Sequence, residues 1–304
     1  MKFKASLALL AVASFYSHAQ TSNTFQLENV FDLEYANQLE MTKNGETIFF
    51  VRNRMDIKTD RKVSNIWSVN PDGKTMLPLT SGVHMDYSPV LSPDETRLAF
   101  ISTRDGSSQI YVKWLKTGNV AKISNLTQSP GGLTWTPDGK NLVFSQFVPE
   151  KSASPVSLPG KPEGAKWAEP AKYIDDVYYR ADGGGYTKAG YRHFFMISAT
   201  GGNARQLSFG NFDHGGSISF NETGDAFYFS ANRHEDHELK PTNSEIYKLN
   251  VADLSISQVT DRVGPDSRPA VSPNGRYLAY TGYDDKKTNY LIFDYKTTYD
   301  VKGR

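Results

Sequence analysis

The sequence contains no cysteine among its 304 residues. Disulfide bonds, thiolate metal sites, cysteine nucleophiles and a lipid-modified N-terminal cysteine are therefore excluded. The sequence also lacks a charge imbalance, because 34 Lys and Arg residues accompany 33 Asp and Glu residues without any basic stripe. Nucleic acid is accordingly not expected as a partner. Long amphipathic helical patterns are missing too, whereas Tyr and Phe, which favour strands, number 17 each.

Hydrophobic runs are scarce, and the one at the N-terminus is short. Residues 5–15 are mostly apolar, Lys2 and Lys4 precede them, and Ser17-His18-Ala19 places small residues before a cleavage point. This pattern is typical of a secretory signal peptide, predicted here at residues 1–19, and the run is too short to span a bilayer. A buried N-terminal helix is the alternative. We therefore expect an exported chain without a membrane span, periplasmic or secreted, and the absence of cysteine favours the periplasm.

The sequence contains a motif of two apolar runs on either side of a polar turn, and five copies of this motif occur. Its clearest turns are Ser92-Pro93-Asp94-Glu95, Thr136-Pro137-Asp138-Gly139 and Ser272-Pro273-Asn274-Gly275, and weaker copies surround Gly45 and Gly224. Pro presets φ, Asp or Asn bonds to nearby backbone, and Gly adopts the left-handed conformation that reconnects two strands. The copies recur at roughly the 40–50-residue period of propeller blades, except for one interval lengthened by about forty residues.

Further strand-like runs complete each repeat. A third strand is predicted at segments beginning at Ile66, Ile110, Phe194, Ile246 and Tyr290, and a fourth closes on Leu79-Thr80, Ile123-Ser124, Leu207-Ser208 and Val259-Thr260. Four strands per repeat, stacked around an axis, are typical of a propeller. The predicted fold is therefore all-β, a β-propeller of four-stranded blades with about four and a half blades and an incomplete ring.

The domain organisation follows from the repeats. After the signal peptide we predict a lead-in segment at 20–34, with a short helix near Leu27–Leu33, and a partial propeller at 35–304. Its five blades are predicted near 35–80, 87–127, 130–210, 214–261 and 267–304. The third of these contains an insertion at 148–190. The fifth repeat has no recognisable fourth strand, so the sequence is expected to be a piece of a longer protein, the alternative being closure by an N-terminal segment.

The insertion holds the candidate functional residues. It begins with a proline-rich loop and continues into an aromatic, acidic and glycine-rich stretch, 173–186. Long loops inside repeats often carry function, which favours a substrate-facing loop. The other interpretation is a strand extension and turn that pack on a neighbouring blade. The candidate substrate-facing residues are Asp175, Asp176, Tyr179, Arg180 and Asp182.

The export signal, the lead-in, the Ser-Pro-Asp turns and the stretch Tyr178–Gly183 ahead of Arg192-His193-Phe194-Phe195 together resemble one family. The sequence is similar to the prolyl oligopeptidase family, in particular its acylaminoacyl-peptidase branch with bacterial dipeptidyl peptidases, over roughly residues 25–295. The resemblance implies a two-domain enzyme in its complete form. A propeller would cap the active site and admit short peptides, and a C-terminal α/β-hydrolase domain would carry the Ser, Asp and His of an acyl-transfer triad.

The sequence departs from that family in one decisive respect, because it contains no Gly-x-Ser-x-Gly nucleophile motif. No catalytic residue can be carried over, so the chain alone is expected to be inactive. Its expected partners are short peptides, through the complete enzyme, and its own missing hydrolase domain. The rival interpretation is a stand-alone periplasmic propeller that scaffolds protein contacts, like the propeller of the Tol system.

No cofactor and no metal are expected. The run His234–Glu238 resembles a metal cluster in composition, but it lies between two predicted strands and is better explained as a solvated loop. His84, His193 and His214 are isolated in the sequence, and His214 is expected to pack or to form hydrogen bonds. The Gly183–Gly185 run lacks the Lys-Ser/Thr ending of a phosphate-binding loop.

Overall fold

The computed structural model describes residues 24–151, 159–168 and 172–286, together with the backbone of 299–300. The predicted signal peptide at residues 1–19 and the predicted strand that begins at Tyr290 lie outside these ranges. Within the described ranges, no helix has the length and apolar character needed to cross a membrane.

The described chain folds into five successive antiparallel blade sheets and one separate two-stranded hairpin, and within each blade neighbouring strands are antiparallel. Blade 1 consists of β1 (Glu34–Met41), β2 (Ile48–Asp56), β3 (Arg61–Val69) and β4 (Met76–Pro78). Blade 2 consists of β5 (Asp86–Leu91), β6 (Arg97–Ser102), β7 (Gln109–Trp114) and β8 (Val120–Lys122). The prediction of an all-β propeller built from four-stranded blades is confirmed.

The third blade is interrupted by the insertion. It comprises β9 (Gly131–Trp135) and β10 (Asn141–Pro149), then the insertion hairpin β11 (Arg180–Ala181) and β12 (Gly185–Tyr186), then β13 (Gly190–Ser198) and β14 (Arg205–Gln206). Blade 4 consists of β15 (Ser219–Phe220), β16 (Ala226–Ala231), β17 (Glu245–Asn250) and β18 (Ile256–Gln258). Blade 5 consists of β19 (Asp266–Val271), β20 (Tyr277–Gly282) and β21 (Tyr299–Asp300).

β20 pairs with a strand at residues 299–300. Tyr299 pairs with Leu278 and Asp300 with Tyr277, in a stretch where we predicted no strand. The sequence does carry a signal for this strand. Tyr295, Thr297, Tyr299 and Val301 alternate with polar residues, and this period-two alternation indicates a β-strand.

The predicted lead-in helix is confirmed as a six-residue 3₁₀ helix, Leu27–Asp32. The side chain of Asn29 accepts a hydrogen bond from the backbone N–H of Gln26 at 2.8 Å and thereby caps the first turn. Its apolar side chains are not buried in the blades, because Leu27 is 88% exposed. The helix therefore leads into β1 without contributing to the core.

The recurring turn owes its geometry to a short side-chain network. Ser92 Oγ donates to Asp94 Oδ1 at 2.5 Å and accepts from the backbone N–H of Arg97 at 3.0 Å. The bond from Ser92 is the main reason that the pKa of Asp94 is lowered to about 2. Thr136 and Ser272 make the same two bonds in their own turns. The Ser/Thr-Pro-Asp motif therefore has a structural role: it forms the turn that joins the first two strands of a blade.

A second repeated device closes the outer edge of blades 1 to 4. In each of these blades, a Ser or Thr hydroxyl just after the fourth strand accepts a hydrogen bond from the backbone N–H of a buried residue in the third strand. The N···O distances are 2.8–2.9 Å, and the hydroxyls belong to Thr80, Ser124, Ser208 and Thr260. The preceding residue donates its own N–H to the carbonyl of that same buried residue. Both polar backbone groups are satisfied in a dry position, which explains why a hydroxyl stands there.

Removing one of these hydroxyls is expected to destabilise the chain measurably. Thr80→Val keeps the volume but leaves the N–H of fully buried Ile66 without a partner, which costs about 1–3 kcal/mol. The free energy of unfolding in urea measures the change. Thr75→Val, on an exposed threonine of the same blade, is the control and is expected to stay within about 0.5 kcal/mol. Equal effects of the two variants would contradict the explanation.

The hydrophobic core consists of clusters between neighbouring blades. Phe49 and Ile66 of blade 1 pack against Phe100 of blade 2, and further clusters join blades 2 and 3, 3 and 4, and 4 and 5. In the cluster between blades 3 and 4, the rings of Phe194 and Phe227 meet edge to face at 5.3 Å between centroids. Packing face to face in sequence order places the insertion of blade 3 beside the loops of blade 4.

Candidate functional site

The insertion is fixed to blade 3 at its base, where its two ends meet. Gly190, the first residue of β13, has φ of +129°, and a Cβ at this position would collide with the backbone of Val148 and Pro149. The backbone N–H of Glu150 donates to the carbonyl of Ala189 at 3.0 Å, which extends the ladder by one step. Only glycine permits this close approach, so the insertion leaves and re-enters the blade at one point.

The described part of the insertion ends in a small hairpin. β11 and β12 pair over two residues each, and Asp182-Gly183-Gly184 forms the turn between them. The backbone N–H of Thr187 donates to the carbonyl of Tyr179 at 2.9 Å, and its hydroxyl donates to the carbonyl of Tyr178 at 3.2 Å. These bonds hold the tyrosine-rich strand against the segment that returns to the blade.

A cavity of about 450 Å³ opens beside this hairpin. Its walls combine aromatic rings with charges of both signs, from Lys172, Tyr173, Ile174, Asp175, Asp176, Tyr179, Tyr186, Thr187, Lys188 and Ala189. The rings of Tyr179 and Tyr186 lie 6.4 Å apart, and Lys172 Nζ lies 3.9 Å from the centre of the Tyr186 ring. Such a wall can bind a small polar ligand with an apolar portion.

The predicted site residues divide into two groups. Asp175, Asp176 and Tyr179 line the cavity, whereas Arg180 and Asp182 do not. Arg180 is the first residue of β11, Asp182 opens the hairpin turn, and both are exposed. The structure therefore brings three of the five together and places the other two on the hairpin itself.

The insertion also contacts blade 4. The backbone N–H of Val177 donates to Glu238 Oε2 at 3.1 Å, in the loop between β16 and β17. Burial and the nearby carboxylates of Glu150 and Asp176 raise the pKa of Tyr191, at the base of the insertion. The cavity therefore adjoins a carboxylate-rich rim shared by blades 3 and 4.

Behind this rim lies a buried polar chain that the sequence did not indicate. His193 Nδ1 is 3.2 Å from His214 Nδ1, and His214 Nε2 is 2.7 Å from Arg233 Nη1. His214 is fully buried and its ring lies among those of Phe194 and Phe229. The expectation that His214 packs and forms hydrogen bonds is confirmed, and the fold brings together His193 and His214, which are isolated in the sequence.

The direction of these hydrogen bonds is fixed by the arginine. Because a guanidinium only donates, His214 Nε2 must accept from Arg233. His214 then carries its proton on Nδ1 and donates to His193 Nδ1. Burial, together with the positive charge of Arg233, lowers the pKa of His214 to about 3. The imidazole is therefore neutral at physiological pH.

The His193–His214 pair does not form a hydrolytic centre. Ser208 Oγ lies 3.4 Å from His193 Nδ1, but Ser208 is buried and its hydroxyl accepts the backbone N–H of Phe194. A nucleophile committed to a backbone bond inside the core cannot reach a substrate. In the described ranges, no group of three or more His, Cys, Asp or Glu residues is arranged to hold a metal ion.

Buried carboxylates occur in three other places. Asp86 lies 3.0 Å from Arg104 and 3.3 Å from His84 Nε2, and Asp266 accepts from Arg262 Nε at 2.8 Å. Glu245 is fully buried, and its pKa is raised by burial to about 7. The first two carboxylates are neutralised by arginine, whereas Glu245 has no arginine bonded to it among the described residues.

Known proteins place this site in context. The family model described as "Dipeptidyl peptidase IV (DPP IV) N-terminal region" matches residues 179–293. The "Uncharacterized peptidase YuxL" of Bacillus subtilis is 29% identical over 215 residues, which cover 70% of this chain and 31% of that protein. "Dipeptidyl-peptidase 5" of Porphyromonas endodontalis is 23% identical over 303 residues, which cover 90% of this chain and 42% of that protein. The chain thus spans less than half the length of these relatives.

Solved structures show the same fold. The acylaminoacyl peptidase of Pyrococcus horikoshii superposes with a TM-score of 0.62 at 16% identity, over 85% of this chain and 37% of that one. TolB of Acinetobacter baumannii superposes with a TM-score of 0.50 at 12% identity, over 89% of this chain and 66% of that one. The propeller is therefore shared by peptidases and by a second class of protein.

Proposed function

We propose, from the premise that this chain belongs to the prolyl oligopeptidase family as its propeller portion, that it admits short peptides to an α/β-hydrolase domain of the same protein. That domain would hydrolyse peptide bonds through a serine nucleophile, and the protein would be exported. The observation that carries the proposal is the family match over residues 179–293, because it starts within the insertion and includes the hairpin β11–β12.

The role of this chain would be selection rather than chemistry. Asp175, Asp176 and Tyr179 line the cavity, and Arg180 and Asp182 stand on its hairpin. In the proposal these five residues face the arriving peptide. A propeller that covers a hydrolase domain excludes folded proteins by size and excludes bulk water from the reacting groups.

The first test uses the chain alone. We expect no hydrolysis of aminoacyl or peptidyl chromogenic substrates, since no nucleophile motif is present. Turnover that a serine-directed inhibitor abolishes would contradict this expectation.

The second test asks whether the insertion limits the size of the peptides that reach the hydrolase domain. In the polypeptide that includes the hydrolase domain, the segment between Glu150 and Ala189, whose backbones are bonded at 3.0 Å, is replaced by a short Gly-Ser turn. We expect kcat/KM for a peptide of thirty residues to rise relative to that for a dipeptide substrate. An unchanged ratio would overturn the admission role. Thr75→Val, on an exposed threonine of blade 1 outside the insertion, is the control and should leave the ratio unchanged.

A scaffold function is the alternative. A TolB homolog of Chlorobium luteolum is 43% identical over 54 residues, and the TolB fold superposes on this chain. This stretch covers only 18% of the chain, so it favours the alternative less strongly. A scaffold would bind its protein partner with unchanged affinity when the cavity residues Asp176 and Tyr179 are replaced by Asn and Ala.

A further inference from the structure

Arg233 stands out because its positive charge has no carboxylate partner among the described residues. It follows β16, and its Nη1 atom bonds to the neutral imidazole of His214 at 2.7 Å. The guanidinium carbon lies 5.2 Å from the centre of the Phe212 ring and 5.6 Å from that of Tyr247. The Nε and Nη2 atoms make no hydrogen bond within the described ranges, and the residue is partly exposed.

Blade 2 has an arginine at the position equivalent to Arg233. Arg104 follows β6 as Arg233 follows β16, and it also lies over two rings, those of Phe100 and Tyr111. Arg104 is neutralised by Asp86 at 3.0 Å. Equivalent strands therefore present equivalent arginines, but only blade 2 provides the counter-charge.

In blade 4 the place of the carboxylate is taken by a group that cannot become anionic. His214 is buried and accepts from Arg233. Its pKa of about 3 keeps it neutral at physiological pH. Arg233 therefore keeps a full positive charge, and its Nε and Nη2 donors make no hydrogen bond within the described ranges.

We propose that Arg233 is a binding site for a carboxylate group of a small ligand. The planar guanidinium presents paired donors that match a carboxylate, and aromatic faces on which it stacks hold it in orientation. The His193–His214 chain positions the guanidinium from behind, and the ligand carboxylate takes the role that Asp86 has against Arg104. This site does not depend on the proposed peptidase function.

The surroundings favour a single negative charge over a double one. The carboxylates of Glu150, Asp176, Asp213 and Glu238 act together on the Tyr191 hydroxyl nearby. A phosphate dianion would be repelled by this rim more strongly than a carboxylate is. The ligand class is therefore a monocarboxylate, at a peptide C-terminus or on an acidic side chain.

The test measures the binding of matched probes to the purified chain by calorimetry and by NMR. The probes are N-acetyl-alanyl-alanine, its C-terminal amide, and the α-amide of N-acetyl-glutamate, whose only carboxylate is on the side chain. At least one carboxylate probe is expected to bind about ten-fold or more tightly than the neutral amide, as for a charge-assisted bond. The tighter of the two identifies the source of the carboxylate.

Variants separate Arg233 from other cations. Arg233→Gln is expected to abolish the preference for the carboxylate probe, whereas Arg205→Gln, on an exposed arginine of β14, should preserve it. His214→Glu supplies an internal carboxylate to Arg233 and should also abolish the preference in a folded chain. Equal binding of amide and carboxylate, or a preference that survives both Arg233→Gln and His214→Glu, would overturn the proposal.

Discussion

Replacing Arg262 by glutamine is expected to destabilise the chain by about 3–5 kcal/mol, because it leaves the buried Asp266 without its counter-charge. Asp266 has no exposed surface, and Arg262 donates to it through both Nε and Nη2. The other oxygen of Asp266 has no hydrogen-bond partner among the described residues. The loss of attraction is therefore not offset by any remaining donor. Unfolding in urea at pH 7 measures the change.

Two further variants show whether the buried charge is the cause. Adding Asp266→Asn to Arg262→Gln should recover a large part of the loss, because the double variant contains neither charge. Arg233→Gln should cost less than about 1.5 kcal/mol, since this arginine faces the neutral His214. A single Arg262 variant as stable as the parent chain would show that Asp266 finds another partner.

Replacing Glu245 by glutamine is expected to stabilise the chain above neutral pH. Burial raises the pKa of Glu245 to about 7, from an ordinary value of 4.5. Among the described residues only Thr260 donates to it, at 2.5 Å, and Oε1 lies 3.9 Å from His234 Nε2 without a hydrogen bond. The folded state therefore holds this proton more tightly than the unfolded state does.

The sign of the effect follows from the raised pKa. The contribution of Glu245 to stability is fully present below pH 4.5 and is lost as the pH rises through about 7. The loss amounts to about 3 kcal/mol by pH 8. A glutamine stays neutral, so Glu245→Gln should have nearly the same stability as the parent chain at pH 4 and should exceed it at pH 8.

Blade 2 provides the natural precedent for this substitution. Gln109 occupies the equivalent position, and its Oε1 accepts from Ser124 Oγ at 2.7 Å and from the N–H of Leu126 at 2.8 Å. Its Nε2 donates to Ser107 Oγ and to the carbonyl of Leu126. Gln109→Glu should therefore introduce the pH dependence that Glu245→Gln removes. Parallel stability–pH curves for the parent chain and Glu245→Gln would contradict the assignment.

The blades could be predicted from the sequence because their determinants are local. A turn such as Ser92–Glu95 closes through its own side chains, and the strands on both sides alternate or are continuously apolar. These signals recur with a fixed period, so each copy supports the others. The strand at Tyr299 was missed because only one weak alternation indicated it and no turn motif preceded it.

The polar chain behind the rim could not be predicted in this way. His193 and Arg233 lie on different blades and meet His214 only after the blades stack. Their side chains have no shared motif in the sequence. The one signal that could have found Arg233 is its alignment with Arg104, since each stands four residues after a phenylalanine of the second strand. The lack of a counter-charge becomes visible only when the packed neighbours are known.

The placement of the core has a consequence for cooperativity. Each buried cluster joins one blade to the next, as Phe49 joins Phe100 and as Phe194 joins Phe227. Within the described ranges, the blades therefore form a one-dimensional array, in which stability is the sum of a term for each unit and a term for each junction. A substitution such as Phe227→Ala weakens one junction and leaves the distant junctions unchanged. Such an array can open at one junction while the units on either side keep their strands.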